Sequence, residues 1–220
     1  MKRRDFSALL ASAPLAGAAG SALAQGGPIE GRQFQVINPP LPSTPGKIEV
    51  VEFFWYGCPH CFAFESTVEA WAKQLPADVV FRKAHVAFRA NVKIHQRMFY
   101  ALEALGKEAA TRQAIFNAMH LQGQALDDAK AQAKFLSPLG VDPVKYQEAY
   151  NSFGVVTKCQ QAEKLSEAYR IDGVPTLGIG GRFLTSPSMA AAGQRMTEQE
   201  LGVKSLQIAD TLIQRVRNKA

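Results

Sequence analysis

The sequence predicts an α/β fold in which a β-α-β unit and a β-β-α unit are separated by an inserted helical subdomain. Three observations predict this arrangement. Two runs rich in β-branched and aromatic residues, 47–56 and 79–88, flank a segment with helical spacing of its apolar residues. Residues 91–152 contain helical patterns only. Two short strand patterns then meet at Gly180-Gly181, ahead of a final helical segment.

The first 24 residues have the pattern of a secretory signal peptide. Lys2, Arg3 and Arg4 precede an apolar stretch too short to span a bilayer, and small residues end it, which predicts cleavage after Ala24. The paired arginines also match a twin-arginine signal, so the Sec and twin-arginine export routes both stay open. The mature chain is therefore expected outside the cytosol, where thiols tend to be oxidised.

The charge pattern does not indicate nucleic-acid binding. The 220 residues carry a net charge of +6, which falls to about +4 once the three cations and one anion of the leader are removed. The remaining charges are interspersed rather than gathered in a basic stripe. The length fits one domain, or one domain with a large insertion.

The first half of the fold begins with a turn-rich segment that contains a short edge strand at 33–37. The run 47–56 is expected to form a central strand covered on both faces, with Glu52 as its one anomaly. A helix is predicted from Cys58 to Pro76, followed by the strand at 79–88, so the two strands should lie parallel.

Helices fill the middle of the chain, separated by glycines and by an Asp142-Pro143 helix start. A further helix at about 155–169 leads to the two short strands. The closing helix should begin at Thr197, whose capping box includes Glu200, and end near Val216.

These units add up to a thioredoxin fold that is interrupted by a helical subdomain. The predicted division places a signal peptide at 1–24, the first part of the thioredoxin domain at 25–90, the insert at 91–152 and the second part at 153–220.

Cys58 and Cys61, within "FFWYGCPHCFAFE", allow four interpretations. A c-type haem site requires histidine after the second cysteine, where the chain has Phe62. A structural zinc site requires four ligands. The other candidate ligands lie on separate predicted elements: Cys159, His85, His95 and His120. A structural disulfide across so small a loop constrains little of the unfolded chain. A working dithiol is the interpretation that the local setting supports.

Cys58 is predicted to lie at the start of a helix, where unpaired N–H groups and the helix dipole favour a thiolate. We therefore expect Cys58 to be the nucleophile and the more buried Cys61 to be the resolving cysteine. Pro59 presets the first helical turn, and His60 can further stabilise the anion. Because a stabilised thiolate favours the reduced form, the disulfide should be a strong oxidant.

With "CPHC" between "EVVEFF" and a helix, and "GVPT" downstream, the sequence resembles the DsbA family of periplasmic thiol-disulfide oxidases. The resemblance covers most of the mature chain and includes the helical insert. It implies a depressed pKa for Cys58, a monomer without metal or other cofactor, exported proteins with free thiols as substrates, and a membrane reoxidant of the quinone-linked DsbB type.

The resemblance also assigns roles to individual residues. Cys58 matches the attacking cysteine and Cys61 its partner. Val174-Pro175 matches the loop whose proline is cis, which implies that it lies against the sulfurs and that the Val174 backbone pairs with an extended substrate segment.

Glu52 matches the family's buried acid, with Glu65 and Lys83 as its charged neighbours. A carboxyl group in an apolar strand is costly unless it is paired or protonated. Glu52 is therefore predicted to be a proton shuttle for Cys61 or an ion-pair partner of Lys83.

Two features depart from the family pattern. Cys159 has no counterpart in the motif and is expected to be buried as a small hydrophobe. Trp55 and Tyr56 occupy positions where other members carry different residues.

The predicted function is donation of the Cys58–Cys61 disulfide to newly exported proteins through a mixed disulfide. Two alternatives stay open: a disulfide isomerase or reductase on the same scaffold, and a non-catalytic chaperone that binds exported chains through apolar surface near Trp55, Tyr56 and Val174.

Overall fold

The computed structural model describes residues 27–218. The predicted signal peptide, 1–24, lies outside the described residues. Within the described range, no helix combines the length and the apolar character that crossing a membrane would require.

A mixed five-stranded sheet forms the centre of the fold. The strands are β1 (Gln35–Val36), β2 (Ile48–Phe54), β3 (Val79–His85), β4 (Thr176–Ile179) and β5 (Phe183–Thr185), in the sheet order β1-β5-β4-β2-β3. The central strand β2 pairs in parallel with β3 and antiparallel with β4, and β1 pairs antiparallel with β5 at the edge. The predicted parallel pair, edge strand and glycine turn are all confirmed.

Helices cover both faces of the sheet and form the insert. They are α1 (Pro59–Ala72), α2 (Lys93–Ala104), α3 (Glu108–Leu121), α4 (Ala129–Leu136), α5 (Pro143–Asn151), α6 (Phe153–Ala168), α7 (Pro187–Ala191) and α8 (Glu198–Arg217). On one face, Phe64 and Val68 of α1 pack with Leu206 and Leu212 of α8 against Val50. Buried apolar contacts of this kind supply most of the stability of such layers.

The core of the insert continues into the end of β2 and the start of α1. One cluster of buried side chains joins Phe54, Tyr56 and both cysteines to apolar residues of α2, α3 and α5. The cysteine pair therefore lies at the junction between the sheet and the helical insert. The α/β fold class with a helical insertion is confirmed, while the exact division at residues 91 and 152 stays a prediction.

Several details differ from the sequence prediction. Helix α1 ends at Ala72 rather than at Pro76. Strand β2 ends at Phe54, before the predicted residue 56, because a turn closed by a 3.0 Å bond from the Cys58 N–H to the Trp55 carbonyl follows it. Strand β3 ends at His85 rather than at residue 88. The short helix α7, whose N-cap is Ser186, was not predicted. The capping box of Thr197 and Glu200 at α8 is confirmed.

Candidate active site

The turn after β2 places Cys58 at the N-cap of α1. Cys58 has extended backbone angles and Pro59 is the first helical residue, as predicted. Gly57 is required in this turn, since a Cβ there would lie 2.3 Å from the Trp55 ring. The turn thus directs the Cys58 side chain toward the exposed N–H groups of the first helical turn.

The loop at Val174-Pro175 lies directly against Cys58. The peptide bond between these two residues is cis, as the resemblance implied. When protonated, the Cys58 thiol donates a hydrogen bond of 3.4 Å to the Val174 carbonyl. Cys58 is 6% exposed and Cys61 is fully buried, and both are free thiols.

The pKa of Cys58 is lowered from 9.0 to about 6. The largest cause is a hydrogen bond from the Cys61 thiol, and burial opposes it. The N–H groups of Cys61 and His60 lower the pKa further, and the His60 charge contributes least. The helix N–H groups were expected from the sequence, whereas the Cys61 thiol as a donor was not.

The pKa of Cys61 is raised well above 9.0. Burial is the main cause, because it disfavours the charged form, and the bond that Cys61 donates to Cys58 has the same direction. The negative charge of Glu52 raises the pKa of Cys61 further. At neutral pH the pair therefore holds its negative charge on Cys58.

Glu52 lies buried behind the pair, bound to Lys83 through Oε2. Lys83 also donates a 2.9 Å bond to Glu65, so both predicted charged neighbours are present. The Oε1 atom of Glu52 is buried without a hydrogen-bond partner among the described residues. Burial raises the pKa of Glu52 to about 7, although Lys83 opposes the shift. The carboxyl group can therefore exchange a proton near neutral pH.

The charged cluster continues into the helical insert. Arg112 of α3 donates a 3.2 Å bond to Glu65 and a 2.8 Å bond to Glu108. Glu108 in turn accepts a 2.9 Å bond from the Tyr56 hydroxyl. This chain of alternating charges links the acid behind Cys61 to the turn before Cys58. The sequence did not reveal it, because Arg112 and Glu108 have the spacing of an ordinary surface ion pair on a helix.

His60 and Cys159 lie outside the charged cluster, and neither is fully buried. His60 is exposed, and its Nδ1 lies 2.9 Å from Glu198 Oε1 at the start of α8. Cys159 packs only partly buried against the insert core, and burial raises its pKa to about 11. Cys159 therefore lacks the thiolate character of Cys58.

A cleft of about 330 Å³ opens beside the cis-proline loop. Its walls include Val174, Pro175 and His60, together with the start of α7 and α8. Among residues 27–218, no group of three or more histidine, cysteine, aspartate or glutamate side chains has an arrangement suited to a metal ion.

The chain is similar to known proteins of one family. A family model described as a DSBA-like thioredoxin domain matches residues 91–199. The thiol:disulfide interchange protein DsbA of Burkholderia cepacia is 43% identical over 194 residues, covering 87% of each chain. Its namesake from Pseudomonas aeruginosa strain PAO1 is 37% identical, covering 100% of this chain and 99% of its own length.

Solved structures that are similar to this chain are also DsbA proteins. The crystal structure of Pseudomonas aeruginosa DsbA has a TM-score of 0.80 at 38% identity, covering 87% of this chain and 95% of that chain. The oxidoreductase DsbA from Xylella fastidiosa has a TM-score of 0.76 at 29% identity, covering 87% and 98%.

Proposed function

The chain belongs to the DsbA family of thiol:disulfide interchange proteins, and from that premise we propose that the disulfide it exchanges is Cys58–Cys61. The protein is a thiol-disulfide oxidoreductase. The observation that supports this choice of residues is the opposite displacement of the two thiol pKa values within one helical turn. A pair with one stabilised thiolate favours its reduced form and so tends to oxidise other thiols.

The proposed reaction has two exchange steps. A substrate thiolate attacks Cys58 Sγ of the oxidised pair, the Cys58–Cys61 bond breaks, and Cys61 leaves and takes up a proton. A second substrate thiolate then attacks the substrate sulfur of the mixed disulfide and releases the Cys58 thiolate. Two electrons pass from the substrate to the enzyme. The low pKa of Cys58 favours the second step, because a sulfur of low pKa leaves readily.

Glu52 is proposed to exchange the proton of Cys61. Cys61 needs a proton when it leaves and must lose one when the disulfide re-forms. A buried carboxyl group with a pKa of about 7 can do both near neutral pH. Lys83 holds one oxygen of that carboxyl group and Oε1 has no hydrogen-bond partner among the described residues, so one oxygen can take part.

Val174 and Pro175 are proposed to bind the substrate. The contact between the Val174 carbonyl and Cys58 brings a backbone edge next to the attacked sulfur. An extended segment around the substrate cysteine can pair with such an edge. The adjacent cleft would receive neighbouring side chains of that segment. His60 also lines this cleft, and Pro59 begins the helix that follows Cys58.

The remaining parts of the proposal concern location and partners. We propose that the protein works as a monomer in the periplasm, acts on exported proteins with free thiols, and is reoxidised by a membrane protein of the quinone-linked DsbB type. The export signal expected at 1–24 supports the location.

Oxidative refolding tests the proposed roles. A reduced, unfolded protein with paired cysteines should gain native disulfides faster with the oxidised wild type than with Cys58→Ser. Incubated with oxidised glutathione, Cys61→Ser should accumulate a mixed disulfide at Cys58, because the Cys58 thiolate displaces one glutathione thiolate and no resolving thiol is present. Cys159→Ser is the matched control and should behave as wild type. Equal rates for wild type and Cys58→Ser would leave only a binding role, as in the chaperone alternative.

A further inference from the structure

Three histidines converge on the two residues that precede Gly57 and Cys58. We call residues 55 and 56 the Trp55–Tyr56 segment. His85 comes from β3, His95 from α2 and His120 from α3. Each one binds a different polar group of this segment. The three histidines are far apart in the sequence, so the sequence did not predict that they would meet.

His85 and His95 act as acceptors toward the segment. His85 Nε2 accepts a 3.3 Å bond from the Tyr56 N–H, while its Nδ1 donates to the Val86 carbonyl. His95 Nδ1 accepts a 3.1 Å bond from the Trp55 indole, while its Nε2 donates to the Ala125 carbonyl. These bonds fix one neutral tautomer for each ring.

His120 binds the other backbone polar group of Tyr56. Its Nε2 donates a 2.8 Å bond to the Tyr56 carbonyl. Its ring stacks on Phe62, with centroids 4.9 Å apart and planes inclined by 6°. Phe62 follows Cys61 in α1, so a single side chain of the insert joins the turn before Cys58 to the helix after it.

We propose that His120 is a positioning residue of the redox site, which holds the Tyr56 carbonyl and Phe62 together and so fixes Cys58 at the start of α1. The inference rests on the proposed role of Cys58. The N–H groups and the Cys61 thiol that stabilise the Cys58 thiolate are all on α1. Hydrogen bonds weaken steeply when their geometry is lost, so a loosened turn would stabilise the thiolate less.

Two variants separate the hydrogen bond from the stacking. His120→Phe keeps an aromatic ring against Phe62 and removes the N–H donor. His120→Gln keeps an N–H donor and removes the ring. Gln113→Ala is the matched control, since Gln113 is exposed on the same helix and, among residues 27–218, its side chain bonds only to Asn117.

The readouts are the thiolate absorbance of Cys58 against pH and the redox equilibrium with glutathione. His120→Phe should raise the pKa of Cys58 by about half a unit and make the disulfide about threefold less oxidising. His120→Gln keeps the bond to the Tyr56 carbonyl and loses the contact with Phe62, so its shift should be smaller, and Gln113→Ala should stay close to wild type. An unchanged pKa in His120→Phe, or an equal shift in Gln113→Ala, would overturn the proposal.

The outcomes also separate this inference from the proposed function. An ordinary cysteine titration in the wild type would count against the role of Cys58 itself. A depressed wild-type pKa that His120→Phe leaves unchanged would count against His120 alone. Should His120→Phe not fold, wild-type protein labelled with ¹⁵N-histidine decides the matter: a slowly exchanging His120 Nε2–H supports the proposal, and a rapidly exchanging one overturns it.

Discussion

Cys58 and Cys61 lie one helical turn apart, yet their thiols titrate in opposite directions from an ordinary cysteine. Burial raises the pKa of both. At Cys58 it is outweighed by donors, namely the Cys61 thiol and the first N–H groups of α1. At Cys61 nothing outweighs it, and the charge of Glu52 adds to it. The two residues are both cysteines, so the difference between their pKa values comes from where each thiol lies at the start of α1. That difference makes Cys58 the nucleophile and Cys61 its partner.

The surroundings of the two sulfurs also differ in composition. Backbone groups contact Cys58, with the Val174 carbonyl on one side and the helix start on the other. Behind Cys61 lies the charged cluster that begins at Glu52 and ends at Glu108. The first region sets the reactivity of Cys58, and the second supplies a group that can exchange protons with the more deeply buried Cys61.

The largest effect on stability is expected when the charged cluster loses Arg112. Arg112→Ala should lower the free energy of unfolding by about 3–5 kcal/mol, because Glu65 and Glu108 would keep buried charges without that partner. Arg82→Ala is the control: Arg82 pairs with Glu49 at the surface, so the expected loss is about 0–1 kcal/mol. Denaturant unfolding measures both. Equal losses would contradict a special role for the cluster.

The next effect is a pH-dependent stability difference between the reduced and oxidised forms. Folding lowers the pKa of Cys58 from about 9, its ordinary value, to about 6. This contribution to the stability of the reduced form should therefore be complete above pH 9 and disappear as the pH falls through 6. The oxidised form has no thiol at this position and should lack the dependence. Unfolding of both forms across this range is the measurement, and a constant difference would contradict the shift.

Glu52→Gln should alter the pH dependence of the resolving step. In the wild type, the rate at which Cys61 resolves a mixed disulfide between Cys58 and glutathione should show an inflection near pH 7, the pKa of Glu52. The amide cannot exchange a proton, so the inflection should disappear. Glu49→Gln, on the same strand but at the surface, should keep it. If the resolving rate of Glu52→Gln kept the wild-type pH dependence, Glu52 would not take part in the reaction.

The smallest effect is expected at His60. Its charge is the last of the causes that lower the pKa of Cys58, and its ring is exposed and paired with Glu198. His60→Ala should therefore raise the pKa of Cys58 only slightly, less than the loss of the Cys61 thiol in Cys61→Ala does. If the pKa of Cys58 rose as much in His60→Ala as in Cys61→Ala, the His60 charge would matter as much as the Cys61 thiol, which would contradict the account.

The sequence predicted the local features of the site well. The cysteine pair at a helix start follows from the motif and its setting. The family resemblance implied the cis-proline loop and the buried acid with Lys83 as a charged neighbour, and the cost of a lone buried charge left an ion pair and a proton shuttle both open for Glu52. The sequence did not predict that Arg112 and His120 reach the site from α3, or that the Cys61 thiol is the main donor to Cys58. Those contacts depend on how the insert packs against the sheet, which local periodicity does not encode. The roles of the site residues stay predictions.

The central claim is that the start of α1 holds a negative charge on Cys58. Thiolate absorbance of the reduced wild type, corrected with Cys58→Ser, measures it directly. We predict a single transition with a midpoint near pH 6 that is absent from Cys58→Ser. A midpoint near 9, the ordinary cysteine value, would contradict the account while leaving the fold unaffected.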